Sequence, residues 1–140
     1  MIPDEGLKAA VHTLLKSTGL TVAIKLFKND VTIDSATVLA DLTEADFPGY
    51  ASKLTSDIVW LGPDIDGGGL GRMRSPELVW TASSAPGSPQ TIYGIHIIVV
   101  DPGPSSRLFF AEAFAEPIVI TLSGDEVKRK VTLFDVEFIP

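Results

Sequence analysis

Few residues in this chain have the types that do chemistry, and none stands in a pattern that completes a site. There are two histidines and no cysteine in 140 residues. Thiol nucleophiles, thiolate metal sites and any centre needing three imidazoles are therefore excluded. Serine, histidine and aspartate are all present, but no Gly-x-Ser-x-Gly elbow joins them. His96 alternates with aliphatic residues and reads as a packed, hydrogen-bonded core histidine rather than a general base. His12 lies off the apolar stripe of its segment and reads as solvated. Asp64-Ile65-Asp66-Gly67 resembles the start of a calcium loop, yet the third ligand position lacks an acid and Ser75 stands where the closing glutamate belongs. Gly67-Gly68-Gly69-Leu70-Gly71 is no dinucleotide fingerprint, because Arg72 replaces the last glycine and no βαβ pattern surrounds it. Glu112 and Glu116 have no frame to set a catalytic separation. No catalytic residue, cofactor or metal ligand is assigned, and the chain reads as non-enzymatic.

The elements around these residues speak mainly of architecture. The stretch Thr91–Val100 is apolar at odd and even positions alike, which is the pattern of a central strand buried on both faces. Residues 4–17 predict the one helix, with Leu7, Ala10, Val11, Leu14 and Leu15 in a single stripe and Pro3 and Asp4 at its start. From Leu20 the period becomes two, with Val22, Ile24 and Leu26 on one face of a half-buried strand. Thr43 and Asp46 suggest a capped helical turn that Pro48 must end. Tyr50–Leu54 and Asp57–Leu61 read as short strands, and Gly62–Gly69 as a flexible loop. Leu70–Arg74 and Glu77–Ala82 follow as strands, and 83–89 as a turn-rich loop.

Arg107–Ala113 predicts a strand that bends before Pro117, with Ile118–Leu122 as a further strand. Ser123-Gly124-Asp125 is a turn. The last stretch, Val127–Phe138, carries its apolar residues first at odd and then at even positions. That phase change predicts a bulge, or a strand crossing between packing environments. The sum is one domain over 1–140, with a helix at 4–17 and a mainly β part over 20–138. The expected fold is an antiparallel β-sandwich of jelly-roll or Greek-key type with one N-terminal α-helix.

Charge narrows the partners. Eleven basic against eighteen acidic residues give a formal charge of −7, which disfavours nucleic acid and anionic membranes. The Lys128-Arg129-Lys130 run reads as a solvated strand face. The longest apolar runs fall far short of the ~20 residues that span a bilayer. The acidic N-terminus gives no sign of an export signal.

Several segments, in order, resemble a family of small virion proteins of tailed bacteriophages. They are Pro3-Asp4-Glu5-Gly6, Leu26-Phe27-Lys28-Asn29-Asp30, the run from Ala40 through Phe47-Pro48-Gly49-Tyr50-Ala51, Ile92-Tyr93-Gly94, Phe110-Ala111-Glu112-Ala113-Phe114, and Gly124-Asp125. The resemblance implies a structural role in the virion. Capsid decoration, in which a cement protein bridges subunits of the major capsid protein, is the first expectation; a neck or tail component is the second. It implies a homo-oligomer, a trimer at a threefold position. Trp60, Trp80 and Phe109 are candidate interface anchors, and equally candidates for the core. A lectin-like sandwich binding a glycan or host ligand through Gly62–Gly71 and Ser83–Gln90 is the alternative of a different class.

Overall fold

The computed structural model describes residues 21–59, 61–65, 70–100 and 106–137. The expected helix at 4–17, with His12, lies outside these residues, as do Trp60 and the centre of the glycine-rich stretch. The described chain is mainly β, and its only helical pieces are two 3-10 turns, Leu39–Asp41 and Thr55–Asp57. Nine strands are present among the described residues: β1 (Thr21–Phe27), β2 (Lys53–Leu54), β3 (Leu61–Ile65), β4 (Leu70–Arg74), β5 (Leu78–Thr81), β6 (Gln90–Val100), β7 (Ser106–Ile120), β8 (Glu126–Arg129) and β9 (Thr132–Glu137). They form antiparallel sheets in the orders β2-β1-β6-β7, β3-β4-β9 and β5-β8.

The expected central strand is β6, flanked by β1 and β7. Its Ile92, Gly94, Ile95, His96, Ile97 and Ile98 are all buried, so both faces are covered. On one face Ile95 and Ile97 join Val22, Ile24 and Leu26 of β1, together with Leu78 and Trp80 of β5 and Val127 of β8, in one core. β1 is more deeply buried than its alternation suggests, because Ala23 and Phe27 on its other face are buried too. Lys25, half-buried, interrupts that second face.

Gly94 allows two close approaches at once. β1 pairs Phe27 with Gly94, and a methyl group on Gly94 would overlap both the Phe27 ring and the Glu112 carbonyl of β7. The aromatic ring fills the space that the missing side chain leaves, the arrangement known to rescue glycine in strands.

β7 is one strand where two were expected, and it is bent by irregularities rather than broken. Phe109 is the extra residue between the pairs Ile97↔Phe110 and Ile98↔Leu108. A second shift lies between Gly94↔Ala113 and Ile92↔Ile118, and it contains Pro117. Proline has no N–H to give a ladder, so this outer strand of the sheet yields there.

Three other expectations are corrected. Gly62–Ile65 belongs to β3 rather than a loop; β3 is an edge strand, and its register shifts between Leu61 and Asp64, where Pro63 is tolerated. The strand expected over Asp57–Leu61 is not formed at Asp57–Val59, where a 3-10 turn occupies Thr55–Asp57, while Leu61 opens β3. The helical turn near Thr43 forms instead at Leu39–Asp41, where the Asp41 carboxylate accepts from Val38 N at 2.9 Å. Thr43 N donates to the Asn29 side chain, and Glu44 bridges to Phe27, so residues 43–45 run extended beside β1.

The final segment, read as one long strand, is two, and its apolar phase change coincides with a register shift rather than with the crossing. β8 pairs with β5 in one sheet and β9 with β4 in another, the crossing lying between Arg129 and Thr132. Within β9 a register shift falls between Leu133 and Val136, where the apolar phase changes. Ser75 fastens the crossing. Its N–H donates to Val131 O and its hydroxyl accepts from Val131 N, each at 2.8 Å.

Candidate functional site

Two features are built from several elements. One is a polar cluster at the end of β1, beyond its short pairing with β2. The segment Phe47-Pro48-Gly49-Tyr50 makes a tight turn, with Tyr50 N donating to Phe47 O at 2.9 Å and Gly49 at φ 89°. Proline at the second and glycine at the third position suit a type II turn. The turn aims Tyr50 back at β1, where its hydroxyl accepts from Leu26 N at 3.2 Å and donates to Glu44 at 2.8 Å. The other Glu44 oxygen takes Lys25 Nζ at 2.8 Å. Burial pushes the Tyr50 hydroxyl up, so it stays protonated and donates. Lys28 and Gln90 both bond Asp46 nearby and hold its carboxyl below the usual range.

His96 stands beside this cluster. It pairs with Lys25 across β1 and β6, is 1% exposed, and lies 5.9 Å from the Phe27 ring between centroids. Its Nδ1 has no hydrogen-bond partner among the described residues, so the expectation of a hydrogen-bonded histidine is not met at that atom. Burial, with Lys25 acting in the same direction, lowers its pKa to about 4 against the opposing pull of Glu44. The imidazole is neutral in the fold at pH 7. Among the described residues no three metal-binding side chains come together.

The other feature is a shallow groove of about 640 Å³ lined by Ser52, Lys53, Leu54, Asp57, Ile58, Val59, Pro76 and Leu78. Ile58 and Leu78 are buried beneath it, while Leu54 is 39%, Val59 77% and the neighbouring Leu61 49% exposed. Lys53 and Asp57 are its charged groups. Such clustered apolar exposure is unusual for a surface without a partner.

The three anchor candidates separate. Trp80 is core: it is 3% exposed, its indole N–H donates to Ala51 O at 3.0 Å, and Lys53 lies 5.0 Å from the ring centroid. It is not available as a surface anchor on this chain. Phe109, at 37% exposure, is turned outward by the bulge it occupies. Trp60 lies outside the described residues. Of the acidic pairs, Asp64 is in β3 opposite Arg72, and Asp66 lies outside the described residues. Glu112 and Glu116 are both exposed on β7. In the basic run, Lys128 pairs with Glu126 at 3.2 Å and Arg129 lies 4.1 Å over the Phe114 ring.

Sequence reasoning missed the groove and the Lys25–Glu44–Tyr50 cluster. The signal for the first was Leu54 and Val59 standing apolar beside turn residues. The second depends on strand register, which no local pattern reports. No protein-family model, curated protein or solved structure matches this chain.

Proposed function

We propose that this chain is a non-enzymatic structural protein of a tailed-phage virion, a cement protein that bridges and stabilises subunits of the major capsid protein on the capsid surface. The observation that carries the reading is the exposed apolar groove at Leu54 and Val59, a surface suited to protein rather than to a small charged substrate. The ordered resemblance to small virion proteins supplies the kind of partner. The layers of the first and third sheets sharing one core support a sandwich architecture. In this reading the chain assembles as a trimer at a threefold position.

The test is co-sedimentation of the purified chain with empty capsids, followed by heating of the decorated particles. Decoration with a raised disruption temperature is the expected result, weakened by Leu54→Ser combined with Val59→Ser. Placement only at the tail tip in a reconstructed particle would overturn the cement role in favour of the tail reading. Indifference to capsids together with glycan affinity of the isolated chain would favour the lectin-like reading.

A further inference from the structure

We propose that the pairing of residues 43–45 and Tyr50 with the end of β1, beyond its short pairing with β2, is an acid-released latch, and that His96 is the group that releases it. The contacts of this segment with β1 lie close together, while Asp46 also bonds Lys28 and Gln90, Pro48 O accepts from Ser83 N, and Ala45 and Phe47 are buried in the core. Ala45 N donates to Leu26 O at 2.9 Å, Lys28 N to Thr43 O at 2.8 Å, and Leu26 N to the Tyr50 hydroxyl at 3.2 Å. The Glu44 carboxylate ties the arrangement together by accepting from both Lys25 and Tyr50. Beside Lys25, on the same face of the sheet, is the buried His96 with an unpartnered Nδ1.

A proton on His96 places a second cation next to Lys25, with one carboxylate to serve both. The new N–H has no acceptor among the described residues, and a buried charged donor without one is strongly disfavoured. The charged groups acting on His96 are Lys25 from β1 and Glu44 from the latch. On the β7 side its partner is Ala111; Glu112 pairs with Ile95 and so belongs to the opposite face. Relief comes where residues 43–45 and Tyr50 meet β1, because that pairing is short, whereas β6 is held on both sides by long ladders.

The experiment is hydrogen exchange by NMR on the full chain at about pH 7 and about pH 4.5, read as protection factors. The expected result is a loss of at least about tenfold at the Leu26, Lys28 and Ala45 amides at the lower pH, with Ile95 and Ile97 of β6 unchanged. In His96→Gln and His96→Phe, each checked for folding by circular dichroism at neutral pH, the latch amides keep their protection at the lower pH. Equal loss at the latch and at β6 would mean global unfolding and overturn the proposal. So would an unchanged latch, or the same local loss in both His96 variants. The contrast between latch and β6 in the wild-type chain stands as a test even where a variant does not fold.

Discussion

Gly94→Ala tests the packing at the centre of the sheet most directly. The added methyl would overlap the Glu112 carbonyl on one side and the Phe27 ring on the other. Neither can withdraw easily. Glu112 O belongs to a strand paired along β6, and Phe27 is fully buried against His96. Overpacking of this kind costs about 1–3 kcal/mol. Stiffening of the unfolded chain by alanine offsets about 0.4–1 kcal/mol of it. The net expectation is a loss of about 1–2 kcal/mol. The assay is urea denaturation followed by tryptophan fluorescence, with Trp80 as a buried reporter. The midpoint should fall with the slope unchanged. Adding Phe27→Leu separates the two contacts. It should recover part of the loss in a double-mutant cycle, with a coupling of about 0.5–3 kcal/mol. A neutral or stabilising Gly94→Ala would refute the idea that ring and strand close on this glycine.

Gly49→Ala should also destabilise, by about 1–3 kcal/mol, because φ is 89° there and a methyl would press on Ser83 N and Thr81 O; thermal melting reads it. His96 makes stability depend on pH. Its pKa falls from 6.5 to about 4 on folding, so the unfolded chain binds the proton more tightly. Its contribution is full above about pH 6.5 and is lost between there and pH 4, amounting to about 3 kcal/mol. His96→Phe should flatten the wild-type denaturation profile across that window. Leu54→Ser with Val59→Ser should change folding stability by less than about 0.5 kcal/mol per site while weakening capsid decoration in sedimentation.

What could be read from residues alone was whatever a single segment settles. Thr91–Val100 was legible as a buried strand because apolar residues at both parities leave no solvent face. The turn at Pro48-Gly49 was legible because proline and glycine each restrict the backbone there. The phase change after Leu133 marks a register shift, whereas the change of partner strand between Arg129 and Thr132 leaves no mark in the pattern. Long-range choices were not legible. The bend at Pro117 was, but its flanks, read as two strands, proved to be one, because β6 tolerates a wide irregularity opposite it. Gly62-Pro63 reads as a loop, because its place on a sheet edge cannot be known before the sheet is. Lys25 and His96 looked unrelated; only the register of β1 on β6 sets them side by side.

The corner at Ser75 and Val131 makes a ruler of the strands beyond it. β4 with β9, and then β5 with β8, form one two-stranded ribbon that turns at this point, and among the described residues β3 pairs only with β4. Each residue pair added to β4 and β9 would lengthen that far sheet by about 3.4 Å. Additions in twos would preserve which side chains share a face, whereas a single added residue would invert them. Related chains of different reach are therefore expected to differ here by even numbers of residues, with the β1–β6 centre left untouched.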